Sequence, residues 1–121
     1  VLAYTDCIKR TVERAKEPGF DASGWDELAA LLDTENFVRV GNDKAVMGWD
    51  VYRDLLTQWA TTTDFWAEFH RVSQVGRHVF LELTEHNTPR GQPEGVVNSL
   101  TSYVFDEAGR LTRLGIYLQH D

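Results

Sequence analysis

Cysteine is nearly absent from the 121 residues: Cys7 stands alone. No disulfide can close within the chain, and no Cys/His spacing suits a zinc site. Basic residues are also few, with 12 Lys+Arg against 19 Asp+Glu and a net charge of −7. That balance argues against a nucleic-acid backbone or an anionic membrane as the main partner, since both call for a basic surface. A soluble acidic surface is the plain reading. No apolar run approaches the length needed to span a bilayer. The first six residues lack the basic start and long apolar run of a signal peptide. A lone thiol with no such leader sets the expectation of a reducing, cytoplasmic location. Low-complexity tracts, repeats and linkers are missing too, so residues 1–121 read as one domain. No Gly-rich phosphate loop occurs.

Aromatic residues are plentiful, at 12% of the chain with four Trp, four Tyr and six Phe. That is more bulk than a thin core needs, and some of it can line a cavity. The first half has helical periodicity. Val1, Tyr4, Ile8, Val12 and Ala15 share one face of a helix over residues 1–16, which Pro18-Gly19 ends. Ser23-Gly24-Trp25-Asp26 has the form of a capping box and opens a second helix with Trp25, Leu28, Ala29, Leu31 and Leu32 as its stripe. Asn36–Val40 is a short strand-prone run. Trp49, Tyr52, Leu55, Leu56 and Trp59 predict a third helix from near Gly48, ended by Thr61-Thr62-Thr63.

The second half has strand character. Segments 65–74, 78–88, 95–105 and 110–120 are joined by two short connections and one Pro/Gly loop at 88–93. Helices first and hairpin-joined strands after predict an α+β fold. Three N-terminal helices would pack on a strongly curved, mostly antiparallel sheet.

Four segments carry a resemblance to the nuclear transport factor 2-like, or SnoaL-like, superfamily. They are Leu28–Leu32 running into Phe37–Val40, Met47–Tyr52, Gly76–His86, and Phe105–Leu114 with Tyr117. Together they span nearly the whole chain. The resemblance implies a cone-shaped barrel with an internal pocket. It implies cofactor-free chemistry on small molecules, as in ketosteroid isomerases, limonene-epoxide hydrolases and polyketide cyclases, or else non-catalytic binding and dimerisation.

Carried over residue by residue, the ketosteroid isomerase base falls on Val40, its second acid near Thr101, and its helix-one Tyr on Tyr4. For epoxide hydrolases, the strand Arg falls on Leu83, its Asp on Glu85 and the last-strand Asp on Ile116. The first-strand Tyr and Asn fall on Val38 and Val40. Only the acid at Glu85 survives, so the epoxide hydrolase reaction is set aside. Both comparisons turn Leu81, Leu83, Glu85 and Asn87 inward, with Phe80, Glu82, Thr84 and His86 outward. They also turn Ser99, Thr101 and Tyr103 inward.

Glu85 is the leading catalytic candidate. Among apolar neighbours its carboxyl would be poorly solvated and its pKa would rise; near the strand end it would simply face water. Thr101 and Tyr4 are the candidate oxygen-polarising donors. Val38, Val40, Tyr52, Trp59, Leu83, Tyr103 and Ile116 are the candidate substrate-binding wall; the plain alternative is core packing. His78 and His86 lie eight residues apart on one strand, too far to share a metal, and no metal or cofactor is expected. His70 is either a pocket acid or base or, as the plainer reading, an outer-face or packed histidine; His120 is the fourth histidine.

Three functions remain open. The favoured one is an isomerase, dehydratase or cyclase acting on a small apolar carbonyl compound. The others are a small-molecule-binding domain and a dimerisation module. The outward row through Phe80 is the expected homodimer face.

Overall fold

The computed structural model describes residues 2–119. The expectations for Val1 and His120 lie outside the described residues. Helix α1 runs Leu2–Arg14 and buries Tyr4, Ile8 and Val12, with Ala15 buried just beyond its end. Cys7 and Thr11 fill the same face; the Thr11 hydroxyl donates to the Cys7 carbonyl at 2.8 Å.

The second helical segment differs from its sequence reading. A 3-10 turn at Ala22–Trp25 precedes a short helix α2, Asp26–Ala29. Asp21, not Ser23, is the cap: its Oδ1 accepts from the Ser23 N–H at 3.0 Å. Asp21 has the extended backbone that a cap needs, and Ser23 already lies inside the turn. Trp25 is fully buried, and its Nε1 donates to Thr57 Oγ1 at 3.1 Å.

Strands β1 (Val38–Val40) and β2 (Val46–Met47) precede helix α3, Trp49–Thr62. Phe37 stacks on Tyr52 with centroids 5.7 Å apart and meets Trp49 edge-on, anchoring α3 beside β1. Four long strands follow: β3 (Thr63–Val75), β4 (His78–Pro89), β5 (Gly95–Phe105) and β6 (Leu111–Gln119). The β3–β4 turn uses Gly76 at φ +59, a left-handed conformation that suits glycine.

The sheet order is β2-β1-β6-β5-β4-β3. All pairs are antiparallel except β1 with β6, which is parallel. The fold is therefore α+β with a mostly antiparallel sheet. It is an open sheet rather than a closed barrel, which corrects the barrel expectation. Its two edges are β2 and β3, and β2 is only two residues long, too short to close a ladder with another strand. Bulges between Phe69 and Arg71 and between Val104 and Phe105 bend it.

Candidate active site

Strand alternation decides which side chains meet over the concave face. Across β3, β4, β5 and β6 the rows run Ala67–Glu85–Val97 and Leu81–Thr101–Ile116 by register. Helices α1 and α3 lie over this face and leave a cavity of about 850 Å³ between them and the sheet. Its wall is mainly apolar, with Leu83, Leu114, Ile116 and Leu118 from the sheet and Leu56 and Trp59 from α3. A second hollow of about 610 Å³ lies on the other side of the strands, around His70, Glu82 and Tyr117. It is lined by His70, Arg71 and Glu82 but by none of the buried tyrosines of the first.

Glu85, Thr101 and Tyr4 all line the main cavity, as do Tyr52, Trp59, Leu83, Tyr103 and Ile116. Val38 and Val40 do not; Arg39 takes their place. Parallel pairing sets Arg39 opposite Leu114, a cavity residue, and Val38 and Val40 opposite Arg113 and Gly115. Because alternation turns successive side chains to opposite faces, the two valines point away from the cavity. A Val-Arg-Val triplet suggests valines inward by hydrophobicity alone. Only its register against β6 reveals the reverse.

The Glu85 carboxyl is partly buried, and its pKa is raised. Desolvation is the main cause; the Ser99 hydroxyl and the Arg39 charge oppose it. Ser99 Oγ is itself buried and makes no hydrogen bond of good geometry.

Across the cavity, the Tyr4 and Tyr52 hydroxyls sit 2.6 Å apart, both residues buried. One must donate to the other, which leaves the second proton free for a further acceptor. Burial raises both phenol pKa values, and that of Tyr103, so all three stay protonated donors at neutral pH. Tyr103 meets Tyr4 edge-on at 5.5 Å. Thr101 is 9% exposed and lies opposite Ile116. The Trp59 Nε1 donates to Asn87 Oδ1 at 3.0 Å, which fixes both side chains at the cavity wall.

Sequence reading missed Arg39. Its guanidinium carbon sits 5.7 Å from the Tyr52 ring centroid, within cation–π range. Gly41 makes room for it: a Cβ there would fall 2.8 Å from Arg39 Nη1. Among the described residues, no group of three or more His, Cys, Asp or Glu is placed to hold a metal ion. No helix among them is long and apolar enough to cross a membrane.

A sheet wrapped over helices with a cavity between them is the nuclear transport factor 2-like fold, and solved structures of that class match this chain over nearly its full length. An LEH-like epoxide hydrolase of M. tuberculosis superposes with a TM-score of 0.67 at 21% identity, covering 94% of this chain and 84% of that one. An NTF2-like protein of unknown function from Exiguobacterium sp. 255-15 gives 0.74 at 11% identity, covering 98% and 99%. SalBIII, an epoxide hydrolase/cyclase-like enzyme of pyran ring formation in polyether salinomycin, gives 0.67 at 16% identity, covering 96% and 90%. At these identities the likeness is one of fold. No protein-family model matches the chain, and no curated protein matches it significantly. The chain has the NTF2-like fold, whose known members include enzymes.

Proposed function

We propose that residues 1–121 form one domain that works as a cofactor-free enzyme on a small, largely apolar carbonyl compound. The reaction class is isomerisation, dehydration or cyclisation. The observation that carries this reading is Glu85: a desolvated carboxyl with a raised pKa, facing protonated hydroxyl donors in an apolar cavity.

In the proposed reaction the Glu85 carboxylate takes a proton from the carbon next to the carbonyl. The electron pair moves onto the carbonyl oxygen. The Tyr4–Tyr52 pair, with Thr101 beside it, donates hydrogen bonds to that oxygen as charge develops. The same proton, now on Glu85, returns to a different carbon in an isomerisation. In a dehydration it goes instead to a departing hydroxyl. A raised carboxyl pKa favours both halves, because it brings the base closer to the working pH.

The test is deuterium exchange. Cyclic enones and β-hydroxy ketones are incubated with the protein in heavy water, and label next to the carbonyl is followed by NMR. The protein should accelerate exchange, and Glu85→Gln should cut the rate by about 10²- to 10⁴-fold. The variant's fold should be unchanged. Exchange that persists in Glu85→Gln would remove the assignment.

The second reading is a binding domain without chemistry. Leu83 and Ile116, apolar in the middle of the wall, support it. It expects ligand affinity with no exchange on any substrate. The proposal also places a homodimer contact on the outer sheet face, where Trp66, Val96 and Tyr117 are exposed. Sedimentation at micromolar concentration tests it. The cytoplasm is the proposed location, resting on the single free thiol of Cys7.

A further inference from the structure

Arg39 is the one arginine among the residues lining the main cavity. Arg10, Arg53, Arg71, Arg77 and Arg110 each lie within 4.0 Å of a carboxylate. Arg39 has no such partner among the described residues, and its Nε is buried without a hydrogen bond. A guanidinium cannot shed its charge by losing a proton, as a buried lysine can. The residue is half-buried, and its buried Nε calls for a hydrogen-bond acceptor. The Tyr52 ring supplies one face only.

Two carboxylates lie near Arg39, yet neither forms an ion pair with it. Glu85, the acid that shares the cavity, is desolvated there, and the Arg39 charge favours its ionised form without forming an ion pair with it. Asp43 lies beside Gly41, but its Oδ1 already accepts from the Ala45 N–H. Asp6 at the rim of α1 is bound to Arg10 at 2.8 Å, and Lys9 stands on the same rim. The tyrosines Tyr4, Tyr52 and Tyr103 are protonated and neutral. The cavity thus holds a fixed positive charge, several hydrogen-bond donors and an apolar wall.

We propose that the molecule bound in this cavity carries a carboxylate, and that Arg39 receives it. The proposal rests on the cavity being the binding site named above. The carboxylate takes two parallel N–H···O bonds from the guanidinium, and the apolar body lies against Leu83, Leu114 and Ile116. This narrows the substrate class from an apolar carbonyl compound to a small keto acid or a similarly acidic carbonyl compound. Arg39 then fixes the orientation that brings the carbonyl to the tyrosine pair.

The test is a matched set of probes. Linear carboxylates from hexanoate to dodecanoate, and 1-naphthylacetate, are each compared with their primary amides. Tryptophan fluorescence reports binding, since Trp59 lines the cavity. Carboxylates should bind about 10- to 100-fold tighter than their amides. Arg39→Gln should bring carboxylate affinity down to that of the amides; Arg39→Lys should keep part of the preference, which separates loss of charge from loss of fold. Glu85→Gln should tighten carboxylate binding, most clearly above the raised Glu85 pKa, where the wild-type carboxylate repels the ligand. Equal affinity for acids and amides would overturn the proposal while leaving the cavity as a binding site. Unchanged carboxylate binding in Arg39→Gln would overturn it as well. No binding by any probe would remove both the proposal and the cavity reading.

Discussion

The two faces of the sheet treat their polar groups in opposite ways. On the outer face nearly every one is matched. His86 places Nε2 2.8 Å from Glu68 and Nδ1 2.7 Å from Glu94, and its ring stacks on Trp66 with centroids 3.7 Å apart. Thr84 accepts from His70 at 2.7 Å and donates to Asn98 at 2.8 Å. His78 meets Ser102 at 2.6 Å. On the inner face Glu85 and Arg39 line an apolar cavity, and Arg39 Nε is buried without a hydrogen bond. A matched polar group contributes to the fold. An unmatched one in a cavity costs stability, and a fold keeps it where a ligand completes it. The difference separates the structural polar residues of this chain from its candidate functional ones.

The widest separation should appear in packing. Leu81 is 1% exposed on the inner face, and its neighbour Phe80 sits on the outer face stacked on His78. Leu81→Ala should cost about 3 kcal/mol in urea unfolding, since it leaves a cavity beneath α1 and α3. Phe80→Ala should cost about 1 kcal/mol. Similar losses at the two positions would break the comparison at once.

The next test concerns titration and works in opposite directions on the two faces. The Glu85 pKa is raised by desolvation, so the folded state prefers the neutral acid. Its stability is greatest below the ordinary glutamate value of about 4.3. It declines as pH rises from there through the raised folded value, and stays reduced above it. Glu85→Gln should therefore melt at a higher temperature than wild type at pH 7, even as turnover is lost. The His86 pKa is raised first by Glu68 and then by Glu94. Its contribution is fully present below the ordinary histidine value of about 6.5 and is lost as pH rises through the raised folded value. His86→Ala should melt lower than wild type at pH 6, and the gap should narrow toward pH 9. Thermal melts from pH 5 to 9 check both slopes. A lower melting point for Glu85→Gln, or a gap at His86 that widens with pH, would refute the assignment of one face to stability and the other to function.

Much of this pattern was open to sequence reading, and the exceptions share a physical cause. Strands β4 and β5 are long enough for alternation to fix their faces: Leu83, Glu85 and Asn87 fall together, as do Thr101 and Tyr103. Periodicity likewise marked the buried face of α1 through Tyr4, Ile8 and Val12. Strand β1 is three residues long, and local sequence gave no basis for choosing Arg39 over its flanking valines. Parallel pairing with β6, some 75 residues away, decides it. The same non-local logic hid β2 and the Leu32–Leu111 bridge. The Tyr4–Tyr52 contact joins two helices 48 residues apart. Each tyrosine was a candidate by itself, but nothing in their spacing paired them.

The smallest effect concerns a pair that looks strong on the outer face. Arg71 Nε lies 3.3 Å from Glu82 Oε2, opposite each other across β3 and β4 where the Phe69–Arg71 bulge turns two successive side chains outward. Both are exposed, at 73% and 48%, so water screens the attraction, and ordering two long side chains offsets much of what remains. A double-mutant cycle with Arg71→Gln and Glu82→Gln should give a coupling of about 0.5 kcal/mol or less, falling toward zero in 1 M salt. Matching on the outer face would then mean that polar groups are satisfied, not that each pair adds much stability. A coupling above about 1.5 kcal/mol, insensitive to salt, would mean that this part of the sheet is shielded from water. A partner covering the outer face would produce that shielding, and repeating the cycle across a range of protein concentrations would show whether the partner is a second copy of the chain.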